Sequence, residues 1–424
     1  MIRALYTLCL MFAAPFLMWG LYRNKPGKPS VGKRWREHFG FTPPLQIQQP
    51  PIWIHAVSVG ETIAVTPLLK KLKARYPQTP ILITTTTPTG AEQAQKLAGI
   101  AEHRYMPFDF PFALKRFIRQ VKPSQLLIME TELWPNTLHT VAKAGIPITV
   151  INARLSERSC RRYGKFQAIF DLLAKNLSQI LCQYPDDAKR FIRLGVDPEK
   201  IQVTGSIKFD IEISPNVQQD GNKLRQYLGI NRPVWIAAST HQGEDEQVLT
   251  AHKGIVAQYP DALLILVPRH PERFNAVFSL AKQQFHTVRR TEQTDQSLDK
   301  NSQVYLADTM GEMLTLIQAS DICFMGGSLL GNKVGGHNML EPAALGKSIL
   351  TGPSYFNFTE VMHLLLANQA VKIVSSPAEL TSNIIFLFNN RSIMLEQKQR
   401  AYDCVKTNQG AIKKTLSLLV NNHI

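Results

Sequence analysis

Apolar residues fall into two kinds of run along this chain. The first is continuous: residues 4–22 carry no charge, and roughly 20 apolar residues suffice to span a bilayer. From residue 52 the pattern becomes periodic. Short apolar runs at 52–57, 81–85, 126–129, 148–151, 180–182 and 201–203 read as buried strands. Helical patterns lie between most of them, as where Leu68, Leu69 and Leu72 share one face after Glu61. A second set follows at 234–238, 263–267, 304–306, 322–325, 348–350 and 371–374. Strands alternating with helices predict α/β domains with parallel sheets covered on both faces. The polar stretch 210–222, with Pro215 and Gly221, reads as a linker; 291–303 reads as a surface loop, and the chain's end as helical. No internal repeat is visible. The expected plan is a membrane anchor at 1–23, a basic connector at 24–50, and Rossmann-like domains at 51–212 and 213–424, the second with C-terminal helices. The domains are expected to face a cleft lined by loops from the carboxyl ends of the strands.

The charges around the first run orient it. Arg3 stands alone upstream, whereas Arg23, Lys25, Lys28, Lys33, Arg34 and Arg36 follow, so the bulk of the chain is expected on the cytoplasmic side. A cleaved signal peptide would carry its charges on the other side and a small-x-small site after the run. A retained anchor is the better reading. Pro15 would kink a spanning helix, which leaves open whether the anchor spans or only embeds. Five cysteines without CxxC spacing point to a reducing compartment and exclude a disulfide framework or zinc site. At 424 residues, 44% hydrophobic, the chain is ordinary globular material. Its 48 Lys+Arg against 32 Asp+Glu give +16, which favours anionic partners: nucleic acid, acidic lipid or a phosphorylated substrate.

The chemistry-bearing residues gather after strands. Between 325 and 353 an apolar strand runs into glycines and a polar loop, then a helix opens near Asn338 with Glu341 in its first turn. Glycines permit close backbone approach and free N–H groups at a helix start attract phosphate, so this segment suits a phosphorylated, sugar-bearing ligand. After the first strand come His55, Ser58, Gly60, Glu61 and Thr62; Glu61 is either a general base or a first-turn cap, and His55 a packed strand-end residue. Glu130 and Glu132 close another strand, beside Trp134, Pro135 and Asn136. Arg154, Arg158, Arg161 and Arg162 form either a phosphate grip or a solvated basic face. Lys208 could neutralise developing charge or pair with Asp210. In the second half, segments 239–246, 267–273 and 308–313 all sit at strand ends, offering Pro268 and Arg269 to an anion or base edge and Met310, Gly311 and Glu312 to a base. No GxxxxGK[ST] loop, GxSxG elbow, HExxH helix or Asp-x-Asp triplet occurs, so phosphate charge falls to arginine, lysine and backbone N–H.

With these residues assembled, the chain resembles the bacterial 3-deoxy-D-manno-octulosonic acid (Kdo) transferases. Lys33, Arg34, Trp35, Arg36 and Glu37 through Gly40, then 55–62, 130–136, 152–159, 268–273 and 335–342, stand in that family's order. The resemblance implies a GT-B fold and inverting transfer of Kdo from CMP-Kdo to the lipid A precursor (lipid IVA) at the inner membrane, facing the cytoplasm. It implies no metal, no cofactor and no nucleic-acid partner. It makes 51–212 the acceptor domain and 213–424 the CMP-sugar domain. Glu61 becomes the base, Glu132 and Lys208 stabilise the transition state, and Pro268, Arg269, Met310, Gly311, Glu312, Asn338, Met339, Leu340 and Glu341 bind the donor. Glu341 is then a ribose binder, and the choice between Glu130 and Glu132 stays open. Competing readings are a nucleotide-sugar epimerase on the same scaffold and a non-enzymatic binder of anionic lipid.

Overall fold

The computed structural model describes residues 2–23, 29–46, 49–294 and 297–423. Lys25 and Lys28 of the expected connector, and part of the loop 291–303, lie outside the described residues. The chain divides into two units: unit 1 holds Met1–Asp210 and Gln409–Ile424, and unit 2 holds Ile211–Asn408.

Unit 1 begins with α1 (Ile2–Tyr22), long and apolar enough to cross a membrane. Its sheet comprises β1 (Ile52–His55), β2 (Ile81–Thr85), β3 (Glu102–Tyr105), β4 (Gln125–Met129), β5 (Ile148–Ala153), β6 (Gln179–Cys182) and β7 (Ile201–Val203). The order is β3-β2-β1-β4-β5-β6-β7 and the pairings are parallel. Strands β1, β2 and β4 are buried along their whole length. That requires apolar side chains on both faces, hence continuous rather than alternating apolar runs. Trp53, Phe117, Phe170 and Phe191 fill one side and Ile54, Val65, Leu68 and Leu69 the other.

Unit 2 repeats the plan with β8 (Val234–Thr240), β9 (Leu263–Pro268), β10 (Thr287–Arg289), β11 (Val304–Leu306), β12 (Ile322–Met325), β13 (Ser348–Thr351) and β14 (Val371–Ile373). The order is β10-β11-β9-β8-β12-β13-β14, again parallel. Every strand read from the sequence is present. The two that were not, β3 and β10, lie at sheet edges and carry partly exposed polar residues.

Two boundaries differ from expectation. The predicted linker 210–222 is largely helix, Pro215–Leu228, capped by Ser214. Its Gly221 marks close packing rather than a turn, since a Cβ there would stand 2.3 Å from the Gln318 side chain. The last helix, Ala411–His423, belongs to unit 1, not to the second domain. Ala411, Ile412, Leu416 and Leu419 complete the core around α2 (Val59–Arg75). Asp210 fastens its start by accepting from the Gly410 and Ile412 N–H groups, each at 2.5 Å.

Candidate functional site

In an open parallel sheet, ligands bind outside the carboxyl ends of the strands where the order reverses. In unit 1 that point lies between β1 and β4. The chain leaving β1 turns into α2, and Glu61 stands in the helix's first turn. Ser58 Oγ accepts from Glu61 N at 3.2 Å and donates to Glu61 Oε1 at 2.9 Å, while Glu61 Oε2 accepts from Val57 N at 2.9 Å. This is a variant of the capping box, so the capping role is real. It also fixes the carboxylate in place. Two carboxylate oxygens offer about four lone-pair sites, so acceptor capacity is left over. Burial raises the Glu61 pKa, the Val57 and Ser58 hydrogen bonds oppose the rise, and the charges of Glu130 and Glu132 add to it.

Across the switch point, Glu130 follows β4 with φ +56°, a left-handed conformation costly for a side chain with a Cβ. Its Oε1 is 3.3 Å from Lys208 Nζ. Glu132, the carboxylate expected to work with Lys208, instead accepts from Trp134 Nε1 at 3.3 Å. Lys208 does not pair with Asp210, whose carboxylate caps the last helix. The turn carrying Lys208 is held by Asn152, buried and also left-handed at φ +51°, whose Oδ1 accepts from Ile207 N at 3.1 Å. Sequence reasoning missed this role because the two residues are far apart in the chain.

The other expectations for unit 1 divide. His55 is a packed strand-end residue: its Nδ1 lies 3.0 Å from Thr84 Oγ1, its ring meets Trp134 edge-on, and burial lowers its pKa to about 4. Arg161 pairs with Glu157 at 3.0 Å, as does Arg193 at 2.7 Å, both exposed. Arg161 therefore belongs to a solvated, internally paired face.

The corresponding reversal in unit 2 lies between β8 and β12. Here the glycine-rich segment is built differently from expectation. Glu244, fully buried, accepts from the N–H groups of Gly327 (2.6 Å), Ser328 (3.0 Å) and Leu329 (3.0 Å). Those donors serve the protein's own carboxylate and are not presented to a ligand. Gly326 is required because a Cβ would sit 2.8 Å from Glu244 Oε2, and Gly352 because one would stand 2.1 Å from the Ser328 carbonyl oxygen. The glycines let loops pack on each other.

Polar and charged side chains surround this scaffold. His241 Nε2 and His337 Nε2 are 2.9 Å apart in near-parallel rings, and His270 meets His241 edge-on. Burial lowers both pKa values, that of His337 to about 4. Arg269, exposed at the end of β9 after Pro268, acts electrostatically on His241, His337 and Glu341. Burial raises the Glu341 pKa, while Asn338 and Arg269 oppose the rise. Asn338 Oδ1 accepts from Leu340 N at 3.1 Å, and Met339 and Leu340 themselves are core. Met310 and Gly311 are exposed. The Glu312 carboxylate is engaged by Arg290 at 2.8 Å, which lowers its pKa. Arg269, Asn338 and Glu341 thus form one group. Glu244 and the histidine pair were not read from the sequence, since the partners lie on separate loops.

Residues 33–211 match the family model described as 3-deoxy-D-manno-octulosonic-acid transferase (kdotransferase). The chain is 40% identical over 421 residues to the 3-deoxy-D-manno-octulosonic acid transferase of Haemophilus influenzae, covering 98% of each. It is 34% identical to that of Bordetella pertussis over 84% of this chain and 85% of the relative. Among solved structures, UDP-GlcNAc 2-epimerase from Neisseria meningitidis is similar in fold: TM-score 0.57 at 14% identity, covering 88% of this chain and 100% of that one. The chain belongs to the 3-deoxy-D-manno-octulosonic acid transferase family, glycosyltransferases built on two parallel-sheet α/β domains.

Proposed function

We propose that this protein transfers Kdo from CMP-Kdo to the lipid A precursor (lipid IVA), with inversion and without metal, at the cytoplasmic face of the bacterial inner membrane. The observation that carries the mechanism is Glu61: a carboxylate fixed at the switch point of unit 1, with burial and two neighbouring glutamates raising its pKa. A base works best with a pKa near the operating pH. Glu61 takes the proton of the acceptor hydroxyl as its oxygen attacks the anomeric carbon of Kdo, and CMP departs with the bonding electrons on its phosphate oxygen. Lys208, paired with Glu130, supplies positive charge to the transition state. In unit 2, Arg269 meets the single phosphate, Asn338 and Glu341 the ribose, and the backbone of Met310, Gly311 and Glu312 the base. The +16 charge draws a phosphorylated lipid acceptor.

Mass spectrometry of the product from purified protein, CMP-Kdo and a lipid IVA-type acceptor tests this reading. The informative variant is Glu61→Gln, because glutamine is as acceptable as glutamate in a capping box. The variant should fold and bind CMP normally yet form no product. Retained turnover would remove Glu61 as the base. Glu341→Ala should weaken donor binding. The epimerase reading rests on fold likeness alone; loss of the lipid requirement would favour it.

A further inference from the structure

The first helix does not leave unit 1. Its half-buried residues are Arg3, Tyr6, Thr7, Leu10, Ala14, Met18, Leu21 and Tyr22, a spacing of three and four that defines one helix face. That face is fastened at both ends. Near the start, Thr7 Oγ1 accepts from Asn136 Nδ2 at 2.9 Å, and the Tyr6 hydroxyl is hydrogen-bonded to the buried Asp109. At the other end, Leu21 and Tyr22 pack on Val31, Ala91 and Tyr105, and Tyr22 Oη lies 2.8 Å from His38 Nδ1. Tyr6 and Tyr22 are separated by about 24 Å at 1.5 Å rise per residue. The hydrocarbon core of a bilayer is about 30 Å thick, so a helix crossing it could not keep both ends on the same folded unit.

We infer that α1 lies flat against unit 1 and enters one leaflet sideways, so that the protein is monotopic and not single-pass. The inference rests on the membrane part of the proposed function and deepens it. The face turned away from unit 1 is the lipid-facing one: Leu5 (62% exposed), Phe12 (73%), Phe16 (78%) and Trp19 (67%) are largely uncovered. A groove of about 620 Å³ runs beside its first turns, lined by Leu5, Leu8, Met11 and Pro111 among others, apolar enough for an acyl chain. The surroundings fit a headgroup region. Tyr22 reaches the Trp35 carbonyl at 3.5 Å, Arg36 lies over the exposed Trp35 ring, and Arg116 lies over the exposed Phe41 ring. Aromatic rings with basic groups beside them are the composition of a membrane interface.

The test is sidedness. Cys9, exposed on α1, is replaced by serine, leaving the other four cysteines buried. Ile2→Cys and Lys33→Cys are then introduced separately into the full-length protein. Inner-membrane vesicles of both orientations are treated with a membrane-impermeant maleimide, and flotation with anionic-lipid vesicles is measured alongside. The expected result is that both positions label from the same face, with loss of labelling at both from the other, while the protein floats. Labelling of Ile2→Cys and Lys33→Cys from opposite faces would overturn the flat helix but leave membrane attachment standing. Failure to float would overturn both.

Discussion

Lys208 Nζ stands 3.3 Å from Glu130 Oε1, whereas Glu132, two residues on, is turned toward the Trp134 indole. The left-handed backbone at Glu130 is the reason, because it breaks the extended alternation that would otherwise place the side chains at i and i+2 on the same face. Glu130→Gln and Lys208→Met should therefore each lower kcat by roughly 10²–10³, the range for losing one charge-stabilising group. The double variant should lose little more than either single one. Glu132→Gln should act more mildly. Single-turnover rates with saturating CMP-Kdo check this, and additive losses would separate Lys208 from Glu130 functionally.

The same carboxylates govern the pH profile. A raised Glu61 pKa means that the base form is lost as pH falls through that value, giving an acid limb on kcat/KM. Burial is the largest cause, but Glu130 and Glu132 both push the value upward. Removing the Glu132 charge relieves part of that push and lowers the Glu61 pKa. The acid limb of Glu132→Gln should thus lie at lower pH than in the unsubstituted protein. A limb that stays in place would mean that Glu61 is not the titrating group.

Much of this was legible in the chain because both central sheets are buried on two faces. Such strands must be continuously apolar, and runs like Ile52–His55 and Ile322–Met325 cannot be mistaken for loops. The edge strands Glu102–Tyr105 and Thr287–Arg289 gave no such signal, since their side chains are partly exposed. Positions of the candidate residues at strand ends were legible for the same topological reason. Their partners were not. Nothing local says that Glu244 will take the N–H groups of Gly327, Ser328 and Leu329, that Asn152 will hold the Lys208 turn, or that Asp210 will cap a helix beginning at Ala411. These are long-range contacts, and glycine in particular reads as ligand access when it serves loop packing.

Glu244 yields a prediction about stability distinct from chemistry. Its carboxylate, with no exposure, accepts from three loop N–H groups and from His241 N at 3.2 Å. Glu244→Ala strands those donors in a dry site, where one unsatisfied group costs about 1–3 kcal/mol. Unit 2 should lose several times what a surface substitution costs, and CMP affinity should fall because Arg269 and His337 flank the same loop. Glu61→Gln should leave melting nearly unchanged. Calorimetry and CMP titration on the two variants separate a scaffold carboxylate from a reactive one.

His252 gives stability a pH dependence. Its ring is fully buried in unit 2: Trp235 Nε1, which can only donate, gives a hydrogen bond to His252 Nδ1 at 3.2 Å. Nδ1 must therefore be the acceptor and Nε2 the protonated nitrogen, which donates to the Gln303 carbonyl at 2.8 Å. Adding a second proton would destroy the Trp235 bond and bury a charge, and burial accordingly lowers the pKa to about 4. In the unfolded chain the value is about 6.5. Between those values the unfolded state binds more protons, so stability is present in full above the unfolded pKa and lost as pH falls through the window. The loss approaches about 3 kcal/mol at pH 4, from 1.36 kcal/mol per pKa unit. His252→Gln, which keeps an acceptor and a donor without titrating, should lower stability at pH 7.5 but flatten its decline between pH 6.5 and 4. Urea denaturation monitored by tryptophan fluorescence reads both slopes, and equal slopes would assign the acid sensitivity to other buried groups.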